Sequence, residues 1–265
     1  MSKKSIPQLY MRRREKFVLS SIFLSLGLLA LQYVSLEFRY YAVAALGLVS
    51  YFVCAWALAE DLQRIELLML VPVPALFTTA VGLFYFLLPS DILSKIVLLS
   101  VFGVGVYANL LTANIYSVAK GRTIQLLHAA HAIGLFLTLI TSLLMTNTIF
   151  SLSLPFYAVG GLVAMSHFPL VLSGLWVVRL TQQVEKTVIL PTLLLVFLLM
   201  QFATVLTFLP YSVWYTSLFL MSMLYLGISV LRSFLIERLF SRALVEYTLV
   251  FIFVAVLFIL NFPLK

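Results

Sequence analysis

Nine long apolar segments, joined by short polar links, constrain the fold of this chain more than any other feature. A helix needs about 20 apolar residues to cross a hydrocarbon core of about 30 Å. Because backbone polar groups find no partners in lipid, each segment is predicted to be a helix. The predicted spans are residues 17–36, 39–59, 67–88, 92–118, 123–146, 155–178, 187–209, 211–231 and 244–263.

These segments predict an all-α, polytopic transmembrane helix bundle of nine spans. Eight or ten spans are the alternatives, because some boundaries, such as the short polar link at residues 179–186, are weak. Hydrophobic residues make up 63% of the chain and charged residues 10%, whereas soluble domains are roughly half apolar and a quarter charged. We predict a basic tail at residues 1–16 and a single transmembrane domain at residues 17–265.

Lysine and arginine set the predicted orientation, because short cytoplasmic loops retain positive charge. With a cytoplasmic N-terminus and an external C-terminus, only Arg39, Lys95 and Lys265 fall outside. The 14 basic residues on the cytoplasmic side, of 17 in all, are Lys3, Lys4, Arg12, Arg13, Arg14, Lys16, Arg64, Lys120, Arg122, Arg179, Lys186, Arg232, Arg238 and Arg242. The expected location is the cell membrane, and a bacterial inner membrane is our working assumption.

The spread of these charges also predicts the partners. They occupy every cytoplasmic loop instead of one patch, which favours anionic lipid headgroups, at about 1 kcal/mol per basic residue, over nucleic acid. Residues 231–243 combine apolar positions at helical spacing with charges, which predicts an amphipathic helix on the cytoplasmic leaflet or a solvated connector. The sequence leaves protein partners and oligomeric state open.

A faint internal repeat relates two parts of the chain. Residues 41–52 and 157–168 match at six of twelve positions, and each segment leads through a cytoplasmic link into a proline-bearing span. The match predicts a parallel repeat of two four-helix units, at residues 39–146 and 155–263, with the first span as an extra helix. Chance is the alternative, since apolar helices draw on a small alphabet.

Polar residues inside the predicted spans are the candidates for a functional site, because such residues are costly in lipid. The predicted intramembrane cluster consists of Asn109, Thr112, Asn114, Tyr116, His128, His131, His167 and Gln201. His128 and His131 share one helix face, and His167 lies in the next span, so we expect the three rings to approach one another near mid-membrane.

Three chemistries suit such a histidine trio: a metal site, axial haem ligation or a proton relay. Hydrogen bonding between helices is the favoured interpretation. No Asp or Glu lies at mid-membrane to complete a metal site, because all the acidic residues, Glu66 among them, are predicted in or beside surface loops. No catalytic residue and no cofactor are therefore predicted.

These observations favour a non-enzymatic membrane scaffold, assembly factor or small-solute carrier. The alternative is a metal- or haem-dependent membrane protein that uses His128, His131 and His167. A lipid-modifying enzyme is a third interpretation, which only the placement of Arg238, Arg242 and Glu246 near the headgroups supports. Soluble-enzyme chemistry is excluded, since no link is long enough to hold a soluble domain and no P-loop, dinucleotide-binding or nucleophile-elbow pattern occurs.

Overall fold

A computed structural model of the protein describes residues 13–35, 37–60, 62–88, 92–118, 124–181, 183–236 and 241–260. These ranges are helical and contain no strand. The helices are α1 (Arg13–Ala30), α2 (Arg39–Leu58), α3 (Arg64–Leu70), α4 (Pro72–Tyr85), α5 (Ile92–Val118), α6 (Ile124–Ser151), α7 (Phe156–Arg179), α8 (Lys186–Leu206), α9 (Val213–Leu235) and α10 (Ser241–Leu260). A single 3-10 turn, Leu31–Tyr33, extends α1.

Eight helical units of the described chain are long and apolar enough to cross a membrane. They are α1 with its 3-10 turn, α2, α3 together with α4, and each of α5 to α9. In α10 the apolar stretch Val245–Leu260 is shorter than these units. The all-α apolar bundle is therefore confirmed, while the ninth span and the orientation stay predictions.

The helix ends agree with the predicted spans to within a few residues at most positions, and α5 has the predicted bounds. The largest differences are at the ends of α6, which continues to Ser151, and of α9, which continues to Leu235. The predicted surface helix at residues 231–243 is therefore wrong for its first five residues. Residues 237–240 lie outside the described residues.

The short helix α3 holds a buried carboxylate in its first turn. Pro72 begins α4, and Glu66 and Gln63 form a capping box at the start of α3. The Glu66 side chain is 2% exposed, and it accepts hydrogen bonds from the Gln63 backbone N–H at 3.0 Å and from the Ser117 hydroxyl at 3.1 Å. Glu66 lies beside a link, as the sequence predicts, and its side chain is buried because α3 packs into the bundle.

Helix α6 is the central helix of the bundle, and it packs against α4, α5, α7 and α9. Around it, α7 pairs with α8, α1 with α5, and α2 with α4, while α10 packs on α9. Large apolar side chains of α1, α8 and α10 point outward in numbers that would be unusual for a protein in water. The bundle thus has an apolar outer surface and polar residues around its central helix.

The packing of the two predicted repeat units is alike in part. The pairs α2 with α4, α4 with α5, and α5 with α6 correspond to α7 with α8, α8 with α9, and α9 with α10. The last helix of each unit differs, because α6 is central and α10 packs mainly on α9. The repeat stays a prediction.

Two ion pairs link the helix ends on the predicted cytoplasmic side. Lys16 of α1 pairs with Glu60, which follows α2, and its ammonium also lies 5.6 Å from the centre of the Trp56 ring. Arg179 at the end of α7 pairs with Glu185 at 2.9 Å. Hydrogen bonds from Thr187 and then from Arg179 hold the pKa of Glu185 below its usual value.

The close packing of α4 on α5 gives the first prediction. A Cβ atom added to Gly105 would overlap the Phe77 ring, which is buried and stacked on Phe102 with ring centres 5.8 Å apart. Because overpacking costs about 1–3 kcal/mol, we expect Gly105→Ala to lower the free energy of unfolding in detergent by that amount. Gly161→Ala is the control, since nothing lies within 4 Å of its added Cβ. Equal melting temperatures for the two variants would contradict this packing.

Candidate functional site

Polar side chains from four helices converge on a small cavity beside α6. Its volume is about 40 Å³, room for about three water molecules. The polar lining consists of Asn109, Thr112 and Tyr116 from α5, His131 and Thr138 from α6, Ser173 from α7, and Arg232 from α9. Leu70, Leu135, Val177 and Ile228 contribute to the apolar walls.

The cavity lies in the half of the bundle that leads to the basic links. Tyr116 is two residues from the end of α5, and Arg232 is three residues from the end of α9. His131 is seven residues from the start of α6, which places it about 10 Å along that helix. In the predicted orientation this is the cytoplasmic half.

Helical spacing explains how α5 supplies three of these groups. Asn109, Thr112 and Tyr116 follow one another at i, i+3 and i+7, and all three are buried against the bundle interior. The Tyr116 hydroxyl donates a hydrogen bond to the Ala130 carbonyl at 2.9 Å. Gly134 permits this approach, because a Cβ there would lie 2.7 Å from the Tyr116 oxygen. The predicted polar stripe of α5 therefore faces α6.

Three buried hydroxyls of the cavity lack protein partners within the described residues. Thr112, Thr138 and Ser173 are 5%, 6% and 5% exposed, and none of them forms a hydrogen bond with the described parts of the chain. Elsewhere in the bundle, Thr141 and Thr192 donate to the carbonyl four residues earlier, at 2.7 and 2.8 Å. Since buried polar groups are almost always paired, the three hydroxyls need water or a ligand in the cavity.

Arg232 is the one charged residue among the described residues that line this cavity. Its half-buried guanidinium lies within electrostatic reach of Tyr116, His131 and Tyr247. No carboxylate among the described residues forms an ion pair with it. The sequence prediction placed Arg232 in a cytoplasmic loop, and this is wrong because α9 continues through it.

Sequence reasoning missed Arg232, Thr138 and Ser173. A signal for Arg232 exists, because Leu220, Leu224 and Ile228 form a buried row at four-residue spacing whose next member is residue 232. Ending the span at residue 231 hid that continuation. For Thr138 and Ser173 we find no signal that separates them from the many other hydroxyl residues of these helices.

His167 is fully buried at a different place, between α6 and α7. Its Nδ1 lies 2.9 Å from the Val163 carbonyl, and its Nε2 lies 2.7 Å from the Ser142 hydroxyl. Because a carbonyl only accepts, the ring proton sits on Nδ1, and Nε2 accepts from Ser142. Both ring nitrogens are thus engaged by protein groups.

The three histidines do not converge, so that prediction is wrong. His131 donates from Nε2 to the Val177 carbonyl at 3.1 Å, and His128 is exposed. Ser142, which marks the level of His167, is 11 residues beyond His131 on α6, a separation of about 16 Å along the helix. Within the described ranges, no three His, Cys, Asp or Glu side chains are grouped to hold a metal ion.

The remaining predicted site residues have separate surroundings. The Asn109 amide donates to the Gly105 carbonyl at 2.9 Å beside the cavity. Asn114 is half-buried and does not belong to the cavity lining. It has an interaction of its own. Gln201 is exposed on α8, in line with the exposed apolar residues Leu194 and Val205. The structure therefore brings Asn109, Thr112, Tyr116 and His131 together and leaves out Asn114, His128, His167 and Gln201.

An all-helical bundle with eight apolar helices of spanning length, apolar outer faces and inward polar groups is a multi-pass membrane protein. Comparison of the chain with protein-family models, with curated proteins and with solved structures finds no match. The function therefore has to be argued from the geometry.

The contact between Ser142 and His167 gives the second prediction. Removing the hydroxyl leaves Nε2 buried without a donor, and hydrogen bonds between membrane helices contribute about 0.6 kcal/mol on average and about 1.7 kcal/mol at most. We expect Ser142→Ala to reduce the free energy of unfolding in detergent by an amount in that range. The control is Ser100→Ala, which removes an exposed hydroxyl bonded to its own helix. If Ser142→Ala cost no more than this control, the histidine contact would not be stabilising.

Proposed function

We propose that this protein is a carrier for a small polar solute that binds in the cavity beside α6. The observation that carries the proposal is the set of three buried hydroxyls, on Thr112, Thr138 and Ser173, that face the cavity without protein partners in the described chain. A polar group inside the bundle costs free energy when it is left unsatisfied, and a scaffold has no use for such groups. A binding site uses them to form hydrogen bonds with its ligand.

A second feature supports transport over simple binding. Buried polar residues continue along α6 beyond the cavity, toward its other end, at Thr141, Ser142, Thr146, Asn147 and Thr148. The Asn147 side-chain N–H₂ is buried and has no partner within the described residues. Intramembrane polar groups often mark solute paths, so this polar stretch of α6 supports a path that continues beyond the cavity.

The wall of the cavity also contains a helix break. Leu70 and Pro74 line the cavity on either side of the interruption between α3 and α4. Proline removes a backbone hydrogen bond and is a common site of kinks in helices. In carriers, interrupted helices commonly lie beside the bound solute, and movement about this break would open or close the cavity.

We also propose that the cavity faces the cytoplasm in its present state and that the protein lies in a cell membrane, bacterial in our working assumption. The basic residues support this orientation by the positive-inside rule. Exposed basic groups such as Arg64, Arg179 and Lys186 would then lie near anionic headgroups.

Cysteine labelling tests the carrier function. Cys54 is the only cysteine and is buried, so Cys54→Ala gives a background for Ser173→Cys. We expect a charged, membrane-impermeant thiol reagent to modify residue 173 rapidly from the side of the basic links. A carrier that alternates its access also admits the reagent from the opposite side, at a lower rate.

Two control variants make the labelling decisive. Gln183→Cys, in the exposed link between α7 and α8, should react only from the side of the basic links. Ser217→Cys replaces a fully buried serine outside the cavity and should not react. Labelling of residue 173 from one side only would make the protein a binding protein instead of a carrier, and labelling from neither side would favour the scaffold.

A further inference from the structure

The Arg232 guanidinium gives the cavity its charge, and it carries N–H donors only. Each of the three unpaired hydroxyls can donate its hydrogen or accept one, so it can adapt to the ligand that the guanidinium binds. His131 Nε2–H already donates to the Val177 carbonyl, and the Tyr116 hydroxyl donates to the Ala130 carbonyl. Among the described residues, no Asp or Glu lines the cavity. The described lining therefore holds one cation and no anion.

We propose that this cavity binds a small oxyanion, a carboxylate or phosphate group, with Arg232 as its anchor. This inference rests on the proposed binding of a solute in the cavity and names its chemical class. The guanidinium presents parallel N–H groups that match two oxygens of an oxyanion. The hydroxyls of Thr112, Thr138 and Ser173 supply donors for the remaining lone pairs.

Partial burial makes this pairing favourable. A cation inside a membrane protein is costly unless a counterion or water stabilises it, and no carboxylate of the described chain pairs with Arg232. Among the described residues, the titratable neighbours of the guanidinium are Tyr116 on α5, His131 on α6 and Tyr247 on α10. A neutral phenol or imidazole does not balance the charge, so an anion in the cavity would.

The four proposed donors come from four helices. Thr112 lies on α5, Thr138 on α6, Ser173 on α7 and Arg232 on α9. An oxyanion that contacts all four donors holds these four helices together. Its binding would stabilise the folded bundle, and the stabilisation would increase with ligand concentration and affinity. That coupling is what makes stability a direct measure of binding here.

The volume of the cavity limits the part of the ligand that enters. About 40 Å³ corresponds to about three waters, which suits one carboxylate or phosphate group and excludes a bulky solute. The rest of a larger ligand would remain at the open side of the cavity. The same group is present in a free anion and in a phospholipid headgroup, and the two sources are separable by experiment.

Thermal unfolding of the full chain tests the proposal. The protein is placed in dodecyl maltoside micelles, which contain no phosphate group, and titrated with inorganic phosphate or succinate, with chloride at matched ionic strength as the salt control. We expect phosphate or succinate to raise the melting temperature in a saturable manner. A second arm adds phosphatidylglycerol to the micelles and omits the soluble anions.

Substitutions connect the effect to the cavity. We expect Arg232→Gln to weaken the affinity for the oxyanion by about tenfold or more, because it removes a charged hydrogen-bonding partner. Arg232→Lys keeps the charge but loses the paired N–H groups of the guanidinium. Its affinity for the oxyanion should therefore fall between those of the wild type and Arg232→Gln. Ser173→Ala removes one donor with little change to the fold and should weaken binding by a smaller factor. Arg179→Gln, which changes the same charge at an exposed position, should bind as the wild type does.

The outcomes separate the sources and the two proposals. Stabilisation by soluble phosphate or succinate that depends on Arg232 supports a free oxyanion, and stabilisation by phosphatidylglycerol alone that depends on Arg232 supports a lipid headgroup. No stabilisation in either arm, or equal stabilisation of Arg232→Gln, overturns the oxyanion site. If residue 173 is then still labelled from both sides, the carrier proposal is supported but its solute is not an oxyanion. Oxyanion binding together with labelling from one side only supports the oxyanion site and contradicts the carrier proposal.

Discussion

The absence of hydrogen-bonding partners in lipid is the constraint on which the rest of this structure depends. A polar side chain buried within the spans is costly unless it is paired inside the bundle or faces a space that holds water or a ligand. The central position of α6 satisfies this constraint, because α4, α5, α7 and α9 pack around the helix and cover its buried polar residues. The outer helices can then present almost purely apolar surfaces.

Two regions along α6 meet the constraint in different ways. Near Ser142, the protein supplies every partner of His167, and the ring is held as a neutral, fully bonded connector between α6 and α7. Near Thr138, the chain leaves hydroxyl groups and a guanidinium facing a cavity. The first arrangement stabilises the bundle by itself. The second is complete only when something occupies the cavity, which is why we assign binding there and structure at His167.

Local sequence pattern predicted the parts of the fold that depend on one helix at a time. The apolar run of residues 92–118 predicted α5 with its observed bounds. The spacing of Asn109, Thr112 and Tyr116 predicted the face of α5 that is buried in the bundle. Features that depend on how helices pack were not predictable in the same way. The levels of His131 and His167 are set by the partners that each ring finds across the interface of α6 and α7, and sequence distance carries no information on those partners.

Two charged residues at the membrane boundary are more buried than their positions in the sequence indicate. Each lies near the end of an apolar run and was placed in or beside a loop, because charge is expected to leave the lipid. Glu66 and Arg232 both remain inside helices that pack into the bundle, since the capping box stabilises the first and the cavity receives the second. Hydropathy records only the cost of a charge in lipid, whereas these two side chains face protein.

The depth of Arg232 suits reversible binding. The residue lies three positions from the end of α9 and is half-buried, so water can reach the guanidinium when the cavity is empty and lower the cost of the unpaired charge. An arginine at the centre of the bilayer would need a permanent counterion and would release it slowly. A fully exposed arginine would hold an anion weakly, because water screens the attraction. A position about one turn inside the bundle lies between these limits, and a carrier has to bind its solute and also let it go.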